Sequence, residues 1–445
     1  MPTDHERARQ YIQQLLNQRD EQTLRELLLP DEADLSPRLA AGSRITPEAV
    51  ARRWRLLEAS DELQQQIDDP QTAEQLAAYV GHTENFIGTA KVPLGIAGPL
   101  RVRGLSAQGD YYVPMATSEA ALVASATRGA HLVSRSGGCR CAVLNEGITR
   151  APGFVFADLA EAGRFVAWLS EQFEALEPIV RETSRYARLI DMRFTVEGNQ
   201  VYLAFEFHTG EAAGQNMATI ATDALCHYIV QQAPVTPKRW YVEANLSGDK
   251  KASYVSLQGV RGKKVTAEAT VPARLVRSYL HTDVAGMVNY YRLSSLGAAT
   301  SGTIGIHGHY ANPLAALYIA CGQDVACVAE SSVGMTRIEP TEAGELYIAI
   351  TLPNLPVGTV GGGTNLPSAR ACLELLGLNG EADSARALSE VAGALVLACE
   401  LSMIGALAAG EFAEAHRQFA RGRAQAESTT PDSGGERETE QKDHG

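Results

Sequence analysis

The most restrictive pattern in this chain of 445 residues is a series of strand and helix signals between residues 152 and 241. A short apolar strand, GFVF, precedes two helical segments, and a hairpin follows in which alternating strands flank Glu197, Gly198 and Asn199. A further helix, NMATIATDALCHYIVQQ, leads into the strand RWYVEA. This β-α-β-β-α-β order predicts a ferredoxin-like unit of about 90 residues, inserted into a larger domain.

The whole chain predicts an α+β protein of more than one domain, because 445 residues exceed what one hydrophobic core usually serves. Residues 1–80 have the pattern of short amphipathic helices, one of which has Thr46 as a suitable N-cap followed by proline. The glycine- and proline-rich texture that follows predicts a large domain composed of residues 81–151 and 242–405. Residues 425–445 contain no apolar residue beyond alanine and predict a disordered tail.

The charge balance argues against two classes of partner. The chain has 39 basic and 52 acidic residues, a formal net charge of −13, which disfavours nucleic acid or an anionic membrane surface. With 45 % apolar and 20 % charged residues, the composition is that of a soluble globular protein. Seven cysteines without a C-x-x-C pair, and a charged N-terminus without an apolar signal segment, predict reduced thiols in the cytoplasm.

One apolar run, AGALVLACELSMIGALAAG at residues 392–410, is long enough to cross a membrane. Glu400 lies near its middle, and the run is rich in alanine and contains glycines. Because a charged residue is costly in lipid, the run instead predicts a tightly packed buried helix or helix pair.

Two glycine-rich segments are candidates for binding a nucleotide. GTVGGGTN, residues 358–365, lacks the G-x-G-x-x-G spacing of a dinucleotide fingerprint, so by itself it predicts only a glycine-rich turn. HTGEAAGQNM is the better phosphate candidate, because Gly210 and Gly214 lead directly into the beginning of a helix. Glu211 in this segment could accept hydrogen bonds from ribose hydroxyls.

Four ionisable residues lie in settings that can carry chemistry, although each has a simple structural explanation. Glu119 falls in the first predicted turn of a helix, where an acid favours the helix dipole. Lys250 belongs to SGDKKASY, which is typical of a solvated turn. Asp324 interrupts an apolar helical pattern and needs a partner or water, because an isolated buried charge is costly. His416 lies on a short amphipathic helix, where a lone histidine is usually a surface residue.

Nine segments, all in the family's order, resemble those of 3-hydroxy-3-methylglutaryl-CoA (HMG-CoA) reductases. They are ENFIGTAKVPLGIAGPL (84–100), MATSEAALVAS (115–125), GITRAPG (147–153), TSRYARL (183–189), GEAAGQNM (210–217), GDKKAS (248–253), ACGQD (320–324), GTVGGGTN (358–365) and LAAGEFAEAH (407–416). TSRYARL and the length of the C-terminal segment resemble the NADPH-using biosynthetic class more than the degradative NADH-using class.

The resemblance implies a reaction and a role for each of the four ionisable residues. Members of the family reduce the thioester twice, through a hemithioacetal and an aldehyde, to give mevalonate and free CoA. Lys250 would stabilise the oxyanion that develops as hydride reaches the carbonyl, and Asp324 would hydrogen-bond Lys250 while lying beside Glu119. Glu119 would be the general acid. His416 would protonate the departing CoA thiolate from a flap helix over residues 406–424.

The resemblance also implies the binding residues, and no metal. Arg150 would grip the substrate carboxylate and Asn312 would contact the catalytic lysine. The substrate-binding residues expected are Glu84, Asn85, Arg150, Asn245 and Asn312. The cofactor-binding residues expected, most of them in the inserted small domain, are Ser184, Arg185, Tyr186, Glu211, Gly214, Gln215, Asn216, Val360 and Gly361.

The sequence departs from the family in places that bear on these sites. Glu211 replaces the usual aspartate, and Glu243 stands where the eukaryotic-like class has a small polar residue near the substrate. His131 stands where that class has an arginine near the extra phosphate of NADPH, whereas Arg185 is retained. NADPH is therefore the expected cofactor and NADH the alternative.

By resemblance, the protein forms a homodimer or a dimer of dimers whose active sites lie between paired chains, with HMG-CoA and NADPH as partners. Three other functions stay open. A degradative enzyme would oxidise mevalonate with NAD, and a catalytically silent CoA-binding homologue would not need the four ionisable residues together. A non-redox acyl-CoA hydrolase would need an activated nucleophile, and no serine or cysteine lies in a nucleophile elbow.

Overall fold

The computed structural model describes residues 4–18, 20–30, 39 and 42–413. The chain separates into two compact units, Met1–Thr89 and Ala90–Gly445. His416, most of the flap helix expected over 406–424 and the expected tail lie outside the described residues.

The first unit is helical. Its helices are α1 (His5–Gln18), α2 (Glu21–Leu28), α3 (Pro47–Leu57), α4 (Asp61–Ile67) and α5 (Pro70–Glu74), and a short 3-10 helix spans Leu76–Tyr79. The hydroxyl of Thr46 accepts a hydrogen bond from the backbone N–H of Ala49 at 3.3 Å, and Pro47 takes the first helical position. The cap predicted for this helix is therefore present.

A small core fixes the ENFIG segment on α3. Trp54 is buried against Phe86, and its indole N–H donates to the carbonyl oxygen of Ile87 at 2.9 Å. The guanidinium of Arg53 is buried as well and donates to the carbonyl oxygens of Phe86 and Arg44, both at 2.9 Å. The charge of Arg53 thus satisfies backbone acceptors that an apolar side chain would leave unpaired.

The second unit is a mixed α/β structure built on one large sheet. Its strands are β1 (Leu94–Gly104), β2 (Gln108–Ala116), β3 (Cys139–Arg150), β4 (Gly153–Val155), β5 (Arg188–Glu197), β6 (Gln200–His208), β7 (Arg239–Tyr241), β8 (Gly262–Val271), β9 (Gly305–Ile306), β10 (Gly334–Pro340) and β11 (Leu346–Leu355). Its helices are α6 (Leu122–Arg135), α7 (Leu159–Leu169), α8 (Phe173–Thr183), α9 (Gln215–Gln232), α10 (Tyr254–Gln258), α11 (Ala273–Leu280), α12 (Val284–Ser301), α13 (Ala311–Ala320), α14 (Val328–Ser331), α15 (Pro367–Leu375) and α16 (Ser384–Ala408), with 3-10 turns at Val325–Cys327 and Gly362–Asn365. The main strand order is β7-β4-β6-β3-β8-β11-β10-β9, with β1 paired to β2 and β3, and β5 paired to β6.

Strand β3 belongs to both halves of this sheet. Residues 140–147 pair antiparallel with β8, whereas residues 148–150 pair antiparallel with β6. Beyond β3 the strands run antiparallel in the order β5-β6-β4-β7, and they share a separate core with α7, α8 and α9 that includes Phe165 and Phe205. Arg150, the last residue of β3, therefore lies where the two halves of the sheet meet.

Helix α16 lies in the larger hydrophobic core of the second unit. It is long and apolar enough to span a membrane, but 83 % of its most apolar window is buried inside the protein, so the run forms one core helix. Two of its acids are fully buried. Glu390 accepts hydrogen bonds from the backbone N–H groups of Leu105, Ser106 and Ala107 at 2.7–3.2 Å. This carboxylate holds the turn between β1 and β2, and the other acid, Glu400, contributes to the candidate active site.

The close approach of α6 and α16 gives a stability prediction. A Cβ on Gly129 of α6 would overlap the carbonyl group of Ala398, so Gly129→Ala should destabilise the protein by about 1–3 kcal/mol, the usual cost of overpacking a core. A drop of several degrees in Tm is expected in thermal unfolding. Gly163→Ala on α7 is the matched control, because a Cβ there meets nothing within 4 Å and alanine favours helix. Equal Tm values for the two variants would contradict the packing argument.

Candidate active site

Lys250 lies in the loop between β7 and α10, in a conformation that few residues with a side chain adopt. Its φ is 56°, in the left-handed region. Its backbone N–H donates to Oε1 of Glu330 at 3.2 Å, and its ammonium pairs with Oδ2 of Asp324 at 2.8 Å. Such a conformation costs on the order of 1–3 kcal/mol and persists where surrounding contacts impose it. The loop is thus held at both the backbone and the side chain of Lys250.

Asp324 follows the end of α13. Lys250 is the charged partner that a carboxylate at this position needs. Its Oδ1 also accepts a hydrogen bond from the backbone N–H of Ala326 at 3.1 Å. Burial opposes ionisation of Asp324, but the hydrogen bond and charge of Lys250 outweigh it, so the pKa of Asp324 is lowered. The same hydrogen bond raises the pKa of Lys250. Both side chains are about 40 % exposed, so a ligand can reach a pair that stays ionised.

A network of buried charged side chains packs against this loop. Asp249 is 3.0 Å from Nη1 of Arg150 and 2.8 Å from Nη2 of Arg261. The second contact is an ion pair without a hydrogen bond between the two atoms. Arg261 also donates to the fully buried Glu330 at 2.5 Å. Burial raises the pKa of Glu330, although the charge of Arg261 opposes this. The conformation of Lys250 therefore depends on Glu330, a buried acid whose charge is balanced by Arg261.

Glu119 lies at the other end of α13. Its Oε2 accepts a hydrogen bond from Nδ2 of Asn312 at 2.7 Å, and its backbone N–H donates to the hydroxyl of Thr117 at 3.0 Å. Helix α6 begins only at Leu122, so Glu119 precedes the helix instead of lying in its first turn as predicted. A cavity of about 340 Å³ is lined by Glu119, Asn312, Arg128 and His309, together with apolar residues of α6 and α16.

Glu400 supports the wall of this cavity. It is fully buried and accepts hydrogen bonds from the backbone N–H groups of Gly308 and His309, from Nδ1 of His309 at 3.0 Å and from the hydroxyl of Thr336 at 2.8 Å. Burial opposes its ionisation, but these donors outweigh burial and lower the pKa of Glu400. The sequence analysis missed Arg128 and His309. Two features of the sequence could have indicated this part of the site: Glu400 inside an apolar run, and His309 three residues before Asn312.

The structure separates the expected catalytic residues into two groups within one chain. Asn312 and Glu119 lie at the beginning of α13, whereas Asp324 and Lys250 lie beyond its end. From Asn312 to Ala320 alone, α13 spans about 12 Å at 1.5 Å per residue. Within one chain, Asn312 therefore bonds Glu119 and lies away from Lys250, and Asp324 lies away from Glu119. The expected contacts of Asn312 with the lysine and of Asp324 with Glu119 stay predictions.

The two glycine-rich segments are neighbours. A Cβ on Gly358 would overlap the backbone of Ala213, and Val360 forms an isolated parallel bridge with Ala212. Gly214, with φ 82°, immediately precedes α9, and among the described residues no side chain caps this end. The amide of Gln215 reaches the thiol of Cys327 at 3.0 Å, three residues beyond Asp324. The beginning of α9 therefore lies beside the segment that contains Asp324, the residue paired with Lys250.

Glu211 has a structural role that the sequence analysis did not foresee. Its carboxylate accepts hydrogen bonds from the backbone N–H groups of Asp383 and Ala385, at 3.0 and 2.7 Å, and from the hydroxyl of Ser384 at 3.1 Å. It therefore caps the beginning of α16, where an acid complements the helix dipole. Contact with a ribose stays a prediction for this residue.

The other expected binding residues lie at separate places. Arg185 lies over the ring of Tyr186 at 4.8 Å, and both are exposed just before β5, while the hydroxyl of Ser184 accepts the backbone N–H of Tyr186 at 3.2 Å. Asn245 has a φ of 66° in the loop that leads to Lys250. Asn85 has a φ of 52° in the first unit, next to Glu84.

The sequence model of the family described as hydroxymethylglutaryl-coenzyme A reductase matches residues 49–421. The chain belongs to this family. A 3-hydroxy-3-methylglutaryl-coenzyme A reductase of Methanothermobacter thermautotrophicus is 42 % identical over 341 residues, 76 % of this chain and 85 % of the relative. One of Aeropyrum pernix is 42 % identical over 350 residues, covering 77 % of this chain and 83 % of the relative.

The chain shares its fold with solved structures of HMG-CoA reductases. A class II 3-hydroxy-3-methylglutaryl-CoA reductase from Streptococcus pneumoniae, bound to NADPH in open conformations, aligns with a TM-score of 0.61 at 20 % identity. The alignment covers 80 % of this chain and 96 % of that chain. The mixed α/β architecture with its large sheet is thus the architecture of HMG-CoA reductases.

The buried carboxylate of Glu400 gives a pH-dependent prediction. Glu400→Gln should lower the free energy of unfolding at pH 7 by roughly 1.5–3 kcal/mol, because hydrogen bonds to a charged acceptor are lost or weakened. The folded-state pKa of Glu400 is lowered, so its contribution is present above the unfolded value of about 4.3 and is lost as the pH falls through the folded pKa. The difference between wild type and variant should therefore shrink from about pH 5 to pH 3 in urea unfolding.

Glu374→Gln is the control for this measurement, because Glu374 forms an exposed pair with Arg370 on α15. This variant should unfold like the wild type at each pH. A Glu400→Gln difference that stays constant from neutral to acid pH would show that the ionised form is not what the fold uses.

Proposed function

We propose that this chain reduces HMG-CoA to mevalonate and CoA with two NADPH, in isoprenoid precursor synthesis. The observation that carries the proposal is the pair of Lys250 and Asp324. It places a solvent-accessible ammonium, paired with a carboxylate, on a loop whose backbone is held by Glu330. The family match and the archaeal relatives, which bear the name of this reductase, support the activity. The NADPH named with the S. pneumoniae structure supports the cofactor.

Lys250 provides the charge that thioester reduction needs. The carbonyl oxygen becomes an oxyanion when the carbonyl carbon accepts hydride, and a fixed cation stabilises it. Asp324 keeps the ammonium protonated through their hydrogen bond, and Glu330 holds the backbone from which Lys250 extends. A cation that is already oriented requires no reorganisation at the moment of reaction.

Glu119 is the proposed proton donor to the carbonyl oxygen in the second reduction. Its hydrogen bond with Asn312 orients the carboxyl group along the wall of the cavity. His416, which lies outside the described residues, is proposed to protonate the CoA thiolate. The residues over 406–424 are proposed to close over the site as a flap.

The residues around the beginning of α9 fit a dinucleotide. NADPH supplies one hydride in each of the two reductions. The backbone N–H groups at the beginning of α9 suit phosphate, and the close approach of Gly358 to the backbone of Ala213 holds the second glycine-rich segment beside this end of α9. The exposed guanidinium of Arg185 is proposed to meet the extra phosphate of NADPH. Ser184, Tyr186, Asn216, Val360 and Gly361 are proposed as further contacts.

The domain organisation is part of the proposal. Residues 152–241 are proposed to form an inserted ferredoxin-like domain that binds the cofactor, supported by the strand order β5-β6-β4-β7 and by a separate core. Residues 81–151 and 242–405 would form the substrate domain. Residues 1–80 would form a helical N-terminal domain, with Glu84 and Asn85 just beyond it as substrate contacts.

The active site is proposed to form between the two chains of a homodimer, or within a dimer of dimers. Within one chain, Glu119 and Lys250 lie at opposite ends of helix α13. An acid and an ammonium that act on the same carbonyl oxygen would therefore come from different chains. A cytoplasmic location is proposed as well, supported by the cysteine pattern.

The activity is tested by incubating the purified protein with HMG-CoA and NADPH. Two NADPH should be oxidised for each CoA released, and kcat/KM should be higher with NADPH than with NADH. A protein that oxidises no cofactor under these conditions would exclude the proposed function. A higher kcat/KM for mevalonate oxidation with NAD would instead identify the degradative enzyme.

Lys250→Ala should lower kcat by about 10²–10³-fold, the usual effect of removing one group that stabilises an oxyanion. The KM for NADPH should change little, because the substitution leaves the beginning of α9 intact. Lys238→Ala, at an exposed position before β7, is the control and should keep full activity. An active Lys250→Ala enzyme would contradict the assigned role.

Mixing two inactive variants tests the location of the site. Glu119→Ala and Lys250→Ala chains, denatured and refolded together, should form hybrid dimers in which one site has both substitutions and the other has neither. About a quarter of wild-type activity should return if all dimers form at random. Sites made within single chains would restore none.

A further inference from the structure

The guanidinium of Arg150 is already occupied by carboxylates of its own chain. Arg150 is 7 % exposed. Its Nη1 lies 3.0 Å from Oδ2 of Asp249 and 3.3 Å from Oε2 of Glu243. Its Nη2 donates to the backbone carbonyl oxygen of Gln215 at 3.4 Å. A substrate carboxylate that pairs with Arg150 therefore enters a site in which two acids already share the positive charge.

Glu243 is positioned by the backbone on both sides of its carboxylate. Its Oε1 accepts a hydrogen bond from the backbone N–H of Asn245 at 2.7 Å, and its Oε2 accepts one from Ala151 at 3.3 Å. The backbone N–H of Ala244 donates in turn to the carbonyl oxygen of Ala151 at 2.7 Å. The side chain of Glu243 is 26 % exposed. The carboxylate is thus fixed beside Arg150 while it remains reachable from outside.

The two acids beside Arg150 are not equivalent. Asp249 also pairs with Arg261 at 2.8 Å and precedes Lys250 on the locked loop, so its charge is balanced by more than one cation. Among the described residues, Arg150 is the one cation paired with Glu243. An incoming carboxylate would therefore compete mainly with Glu243, since like charges at this distance repel each other in a partly buried site.

We propose that Glu243 is a specificity-determining residue that competes with the free carboxylate of the substrate for Arg150. This inference rests on the proposed function, in which Arg150 binds that carboxylate. Substrate binding shifts Arg150 Nη1 from Glu243 to the ligand, so Glu243 limits the affinity for an acyl-CoA with a terminal carboxylate. Binding of the CoA portion, which does not involve Arg150, is unaffected.

Glu243→Gln tests the role of the charge with little change in shape. The amide oxygen of glutamine can still accept from Asn245 or Ala151, so the loop keeps a backbone anchor. The KM for HMG-CoA should fall by about threefold or more, because repulsion of the incoming carboxylate is removed. The inhibition constant of free 3-hydroxy-3-methylglutarate should fall in parallel, whereas that of CoA and the KM for NADPH should not change.

Two further variants make the result interpretable. Glu339→Gln removes the acid of an exposed ion pair with Arg337 on β10, and its kinetic constants should equal those of the wild type. Glu243→Ser removes the charge together with the longer side chain, and serves if the glutamine variant is poorly folded. The KM for HMG-CoA should fall in this variant too.

The outcomes separate this inference from the proposed function. A wild-type protein that oxidises no NADPH with HMG-CoA would reject the proposed function itself. An active wild type whose Glu243→Gln and Glu243→Ser variants show an unchanged or higher KM for HMG-CoA would reject only the competition. A higher KM would mean that Glu243 assists the binding of the substrate.

Discussion

The second unit depends on two carboxylates buried in one apolar helix. Glu390 and Glu400 of α16 each accept hydrogen bonds from the backbone N–H groups of a turn that belongs to another part of the chain. A buried acid without such donors would be strongly destabilising, so each turn can dock on α16 in one register only. The turn on Glu400 leads into α13, and the position of the cavity beside Glu119 follows from it.

Features that depend on neighbouring residues could be predicted from the sequence. The cap at Thr46 is present, the run around Glu400 is a buried helix, and the hairpin turns at Gly198, whose φ is 61°. In each case a pattern of a few consecutive residues suffices, because the forces concerned are local: helix capping, turn geometry and one-sided burial. The mixed α/β class of the second unit could be predicted for the same reason.

Contacts between distant segments were harder to predict. Asn312 bonds Glu119, and Glu211 caps α16, because partners separated by more than 170 positions are brought together by the sheet and the core. His309, which precedes α13, gave no periodic signal, since its partner is Glu400, far along the chain on α16. Likewise, no sequence pattern could show that α13 holds Glu119 and Lys250 at its two ends, which is a property of the folded chain.

The left-handed backbone at Lys250 has a consequence for how such a protein can change. Glycine would adopt this conformation without strain, and replacing the lysine would relieve the loop, yet the ammonium would be lost with it. With the role proposed for Lys250, selection for stability would favour glycine at this position, whereas selection for catalytic activity would favour lysine. A thermostable homologue would have to gain its stability elsewhere in the fold and leave the strained residue unchanged.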